Sequence, residues 1–150
     1  MPITCYWIEA RTTDIRLEAI DGTLLGEIHE VPPPLMTMKL KRKWEIYNFK
    51  KELKGIVREK PKFIGSDWVL ENIEGKVIAT IKGDRKKKDY EVQTKEKQVI
   101  ARCYRDASIS KDSYQVDILG SEIDLFLVLT YIIVLDHVKS AWVARTGRDI

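Results

Sequence analysis

The 150-residue chain predicts a mainly β domain with one buried helix: about twelve short antiparallel strands closed as a barrel around a hydrophobic C-terminal helix. Three observations carry that expectation. Alternating apolar and polar runs, punctuated by turn residues, recur from Thr4 to Leu119 at the spacing of strands in a sandwich or barrel. One hairpin phrase occurs twice. A single apolar run, Leu125–Leu135, then follows and has no polar face. No low-complexity linker divides residues 1–150, so they read as one domain.

The elements follow in chain order. Thr4–Glu9 reads as a first strand. Residues 14–31 read as a hairpin, because Ile15 and Leu17 alternate with charged residues and Asp21-Gly22 supplies the positive φ angles of a tight turn. Pro32, Pro33 and Pro34 form a rigid extended connector in which no ladder can continue. Leu35–Lys41 is the next expected strand. Trp44–Phe49 and Leu53–Glu59 make a hairpin across Lys50-Lys51-Glu52, and Lys62–Gly65 is a short strand after it.

The repeat comes next. Leu17–Ile28 aligns without a gap on Leu70–Ile81, sharing Leu-Glu-x-Ile, an acidic residue and Gly, followed by alternating aliphatics. An internal match of this length points to a duplicated hairpin unit. Tyr90–Thr94 and Val99–Tyr104 flank Lys95–Gln98 as a further hairpin, and Ser113–Leu119 is the last strand.

A helix that is apolar all round must be surrounded on every side, by membrane or by protein. The run here is eleven residues between Asp124 and Asp136, whereas a spanning helix needs roughly 17–25. Burial in protein is therefore expected, with Ser121 as N-cap and Glu122 and Asp124 in the first turn. Twelve strands in a ring enclose more space than their own side chains fill. A helix of about twenty residues, near 30 Å long, is a suitable plug. Asp136, at the exit of that helix, is expected to be partly buried and to need a partner.

A net charge of +3 conceals an asymmetry. Between Lys39 and Lys62 ten basic residues face three glutamates, and Arg85–Lys88 forms a second cluster, whereas the first thirty residues are acidic. The candidate anion-binding residues are Lys39, Lys41, Arg42, Lys43, Lys50, Lys51, Arg85, Lys86, Lys87 and Lys88. Alternation puts Lys39, Lys41 and Lys43 on one strand face and Arg42 with Trp44 on the other. Such charges can equally serve as solvated tips or as edge residues that block strand pairing.

Catalysis is not indicated. His29 reads as a solvated strand residue, and His137 diverges from Asp136 by about 100° on the helix. Cys5 and Cys103 read as two buried thiols, and the sequence has no recognised metal-ligand spacing, phosphate-binding Gly-rich loop or nucleophile elbow. No enzyme activity, cofactor or metal is therefore expected. No signal sequence is evident, which predicts a cytoplasmic protein.

The plan resembles the tubby C-terminal-like superfamily, particularly the LURP-one-related proteins and the phospholipid scramblases. The resemblance rests on the repeated acidic-Gly hairpins at Asp21-Gly22 and Glu74-Gly75, the late strand Tyr114–Ile118, and the apolar helix Leu125–Leu135 closed by Asp136. It implies a twelve-stranded barrel around a central helix, and a module that binds phospholipid headgroups through basic residues on its outer surface. A calcium loop of the Asp-x-Asp-x-Asp-Gly kind and a cysteine cluster for palmitoylation, both scramblase features, do not occur here. A protein-interaction or scaffold role is the alternative. Nucleic acid is a weaker one, because neither a recognition helix nor an RNA-binding aromatic signature occurs.

Overall fold

The structure is a computed structural model that describes residues 5–11, 14–31, 42–61, 66–84, 89–105 and 114–146. Ten strands precede one helix. They are β1 (Cys5–Arg11), β2 (Asp14–Ala19), β3 (Leu24–Val31), β4 (Lys43–Asn48), β5 (Leu53–Pro61), β6 (Ser66–Glu71), β7 (Val77–Asp84), β8 (Asp89–Thr94), β9 (Val99–Arg105), β10 (Tyr114–Ile118) and then α1 (Leu125–Thr146). The chain forms two compact units that divide between Ile78 and Ala79.

In the N-terminal unit β1 to β6 form an antiparallel meander, each strand paired with the next. Alternation fixes its two faces. Ile15 and Leu17 of β2, Ile28 of β3, Trp44 and Ile46 of β4, Val57 of β5 and Leu70 of β6 are fully buried, and Trp68 of β6 is nearly so. The cross-strand partners Ile15–Ile28, Ile28–Ile46, Trp44–Val57 and Val57–Leu70 show that these side chains share one face. A register slip by one residue would turn that whole set outward, so the apolar alternation specifies the pairing.

One turn is used four times. Ala19, Asn48, Asn72 and Thr94 each donate their N–H to the carbonyl four residues on, and each accepts from the N–H three residues on, at 2.9–3.0 Å. The third loop residue is Gly22, Lys51, Gly75 or Lys97, with φ of +88°, +62°, +83° and +66°. This is the three-residue hairpin loop, a type I turn closed by a left-handed residue. Side chains reinforce it: Asn48 Oδ1 accepts from the N–H groups of Lys50 and Glu52, and Asn72 Oδ1 from those of Glu74 and Lys76. The duplicated phrase in the sequence encodes the first and third of these turns. The second and fourth share their geometry without sharing their residues.

In the C-terminal unit β7, β8, β9 and β10 pair in order, with Tyr90, Val92, Ala101 and Cys103 buried. The helix enters gradually. Leu125 is exposed, Val128 is buried, and Thr130 to Leu135 are all buried. Successive residues turn by about 100°, so the six from Thr130 to Leu135 sweep more than a full circle. Protein therefore surrounds the helix on every side over Thr130–Leu135, as the apolar run requires. The Thr130 hydroxyl is satisfied within the helix, donating to the carbonyls of Phe126 at 2.8 Å and Leu127 at 3.0 Å. Asp136, next in the chain, is half-buried and has an interaction partner. No helix among the described residues is long and apolar enough to cross a membrane.

The structure corrects three expectations. Ten strands are present among the described residues, not twelve; the expected strands Leu35–Lys41 and Lys62–Gly65, with the connector Pro32–Pro34, lie outside those residues. Pro61 at the end of β5 pairs directly with Ser66 at the start of β6, so these two strands already form one hairpin. Among the described residues the ladders do not close into a ring, so the twelve-stranded closed barrel is not observed. Alternation marks candidate strands, but it carries no information about a ladder between the first and the last. Finally, Asp124 and not Ser121 caps the helix: its Oδ1 accepts from the Phe126 N–H at 2.8 Å and its carbonyl from the Val128 N–H at 3.1 Å. Helix geometry begins at Leu125, so Ser121 lies too far upstream to reach the orphan N–H groups.

The recurrent turn generates a prediction. A non-glycine residue in the left-handed region is strained by roughly 1–2 kcal/mol, partly offset by the backbone entropy that glycine loses on folding. Chemical denaturation should show Lys51→Gly stabilising by about 0.5 kcal/mol and Gly22→Ala destabilising by about 1 kcal/mol.

Candidate functional site

Of the ten candidate cations, four lie on described residues: Arg42, Lys43, Lys50 and Lys51. Lys39, Lys41 and Arg85–Lys88 lie outside them. The four are not equivalent.

Arg42 is a structural residue. It precedes β4 with the same parity as Trp44, which turns its guanidinium toward the core-facing side. There its Nε donates to Glu30 Oε1 at 2.9 Å and its Nη2 to Glu30 Oε2 at 3.3 Å. The same group lies 5.4 Å from the ring centroid of Trp44 and 6.0 Å from that of Trp68. Its backbone is tied to Glu59, whose N–H donates to the Arg42 carbonyl at 2.9 Å. A planar fork whose charge is matched by a bidentate carboxylate and packed beside two indoles is committed to holding the fold.

Lys43, Lys50 and Lys51 make no ion pair with a described residue. Lys43 opens β4 and faces Arg58 across the ladder, but Arg58 is neutralised by the buried Glu71, its Nε lying 3.1 Å from Oε1. Lys50 and Lys51 are exposed at the other end of β4, on the β4–β5 turn. Lys50 Nζ sits 5.7 Å from the ring centroid of Phe49, itself 60% exposed. Seven residues of extended chain separate Lys43 from Lys50, about 20 Å. The described cations therefore do not converge on one patch. The unpaired pair stands at the hairpin tip.

A second constellation, which alternation does not single out, lies on the outer face of the same unit. Asp14, His29 and Glu45 are direct cross-strand partners on β2, β3 and β4, and Glu27 pairs with Tyr47 beside them. His29 Nδ1 lies 2.8 Å from Asp14 Oδ1, and Nε2 lies 3.1 Å from Glu27 Oε2. The Tyr47 ring meets the imidazole edge-on at 5.6 Å, and its hydroxyl donates to Glu45 at 3.2 Å. Both ring nitrogens face carboxylate acceptors, an arrangement satisfied only when both carry protons. Burial pulls the imidazole pKa down, but the hydrogen bonds and charges of Asp14 and Glu27 outweigh it, and the pKa is raised above 6.5. Burial and the neighbouring Glu45 likewise raise the Tyr47 phenol. His29 is thus a half-exposed residue whose protonated form the two carboxylates favour, where alternation alone suggests a merely solvated one. The only available signal is charge spacing: Asp14, Glu27 and Glu45 become neighbours only once the register is known. Among the described residues no group of three His, Cys, Asp or Glu side chains could hold a metal ion.

Comparison with known proteins follows from this fold. A model of the LURP-one-related family matches residues 4–136. The chain belongs to the LURP-one-related family. Membership places it among the tubby-like domains, as the repeated hairpins and the apolar helix suggest, and that group is generally non-catalytic. A solved structure from Arabidopsis thaliana is similar over 91% of each chain, with a TM-score of 0.51 and 13% sequence identity. At that identity the likeness concerns the fold alone. No curated protein matches the sequence.

Two predictions rest on this geometry. Arg42→Ala removes a charge-assisted bidentate contact and two cation–π contacts, and should cost about 2–3 kcal/mol in denaturant unfolding. Arg42→Lys should recover less than half, because an ammonium cannot span both Glu30 oxygens. His29, with a raised folded-state pKa, contributes stability that is complete below 6.5 and is lost as the pH climbs through the folded value. The stability gap between wild type and His29→Gln should accordingly be wider near about pH 5.5 than near about pH 8.5.

Proposed function

We propose that this LURP-one-related protein is a non-enzymatic binding module that docks on anionic phospholipid headgroups at the cytoplasmic surface of a membrane. The observation that carries the reading is the β4–β5 tip, where two exposed lysines without an ion pair among the described residues follow an exposed phenylalanine on a hydrogen-bonded turn. Neither lysine is engaged in holding the fold, so both ammonium groups can exchange water for phosphate. Each lysine near an acidic membrane is worth about 1 kcal/mol. Lys43, and the sequence clusters Lys39 with Lys41 and Arg85–Lys88, belong to the same proposal as further cations. Arg42 does not, since Glu30 already holds it.

Co-sedimentation with vesicles of equal parts phosphatidylcholine and phosphatidylserine tests the reading. Lys50→Ala with Lys51→Ala should weaken binding about thirtyfold, corresponding to about 2 kcal/mol, and added salt should weaken the wild type in the same direction. Binding indifferent to phosphatidylserine content would overturn it and turn attention to a protein partner.

A further inference from the structure

The exposed large apolar side chains of the N-terminal unit are not scattered. Ile20 is 68% exposed, Phe49 60% and Ile73 57%. All three occupy the first loop position of the recurrent turn, after Ala19, Asn48 and Asn72 respectively. The fourth turn, in the C-terminal unit, has Lys95 at that position. A shared backbone geometry places the three side chains equivalently at their tips.

The topology sets them in a row. In an antiparallel meander, alternate connections fall at the same end of the sheet. The β2–β3, β4–β5 and β6–β7 turns therefore lie at one end of the N-terminal unit, where β3 pairs with β4 and β5 with β6. Successive tips are two strand spacings apart, about 10 Å, so Ile20 and Ile73 stand about 20 Å from each other with Phe49 between them.

The residues between these side chains are charged. Asp21 and Glu74 follow Ile20 and Ile73, whereas Lys50 and Lys51 follow Phe49. Glu52 is paired with Lys54 at 3.2 Å, and Lys76 completes the third turn. The six nearest charges, Asp21, Lys50, Lys51, Glu52, Glu74 and Lys76, are of both signs, and the apolar points do not merge into a continuous face. A protein partner buries a contiguous patch, typically about 800 Å² a side. Separate protruding side chains set among charges of both signs match instead the interfacial layer of a bilayer, which presents phosphates and amines together above the acyl chains.

We propose that Ile20, Phe49 and Ile73 form a three-point insertion edge that enters the interfacial layer of a lipid bilayer, with Lys50 and Lys51 at the phosphates and Asp21 and Glu74 beside the amines. This rests on the membrane reading above and adds to it an apolar contribution that does not depend on anionic lipid. The turns suit the task because their hydrogen bonds and left-handed residues fix the tips before contact, so little ordering entropy is lost on binding.

The test combines two variants with two vesicle compositions. The first variant carries Ile20→Ser, Phe49→Ser and Ile73→Ser; the second carries Lys50→Glu and Lys51→Glu. All these positions are exposed, and circular dichroism checks that both variants fold. On vesicles of equal parts phosphatidylcholine and phosphatidylserine the serine variant should bind at least tenfold more weakly than wild type. Pure phosphatidylcholine vesicles should still bind wild type measurably better than the serine variant. Serine-variant binding equal to wild type on both compositions overturns the insertion edge, and loss in the lysine variant alone then leaves the headgroup reading standing. Tip-dependent binding that ignores phosphatidylserine and the lysines does the reverse. A second readout uses Phe49→Trp: brominated acyl chains should quench its emission beyond the quenching of wild type, and equal quenching overturns insertion.

Discussion

A helix without a polar stripe can persist in water only where protein covers it through the full circle, and the rest of this structure answers to that requirement. From Thr130 to Leu135 every side chain is buried. Each aliphatic or aromatic residue so placed contributes roughly 1.5–3 kcal/mol of transfer free energy. Of the two hydroxyls in the run, that of Thr130 donates to a carbonyl of the preceding turn, which offsets the cost of burying it. Asp124 caps the first turn in the open, and Asp136, which follows the buried run, is half-buried and partnered.

The strands meet their own constraint with a device used four times. A type I turn closed by a left-handed residue joins strands whose twist it matches, and it needs only one position that tolerates positive φ. Glycine fills that position twice and lysine twice. Side-chain caps occur in turns of both kinds, Asn48 Oδ1 and Thr94 Oγ1 in the two lysine turns and Asn72 Oδ1 in a glycine turn, each accepting a backbone N–H. Because these turns consume no core volume, their exposed positions are free to vary without cost to the fold. That freedom is where the apolar tips and the unpaired lysines are found.

Charge divides between maintaining the fold and facing outward. Arg42, Arg58 and Arg102 are matched to glutamates on neighbouring strands or segments, and His29 is held between two carboxylates. Arginine is suited to these fixed sites by its planar, always-charged fork. Lys50 and Lys51 stand at a tip, where a flexible, strongly hydrated ammonium can meet a mobile anion. The net charge of the chain hides this division, since a paired arginine and a free lysine count alike.

Much of this was legible in the residues themselves. Apolar alternation placed the hairpin strands within Asp14–Val31, Trp44–Glu59 and Tyr90–Tyr104, the repeated acidic-Gly phrase located two of the four turns, and the all-round apolar run implied a buried helix, because period and turn chemistry are local properties. Ladder closure was not legible, and neither was the helix cap, which depends on where the first helical φ and ψ occur. The sequence also could not separate Arg42 from Lys43: only cross-strand register brings Glu30, Trp44 and Trp68 around one and leaves the other unpaired. The same holds for Ile20, Phe49 and Ile73, more than fifty residues apart in the chain, which the meander alone sets in one row. Local propensity is written residue by residue, whereas proximity between distant residues exists only after the strands have paired.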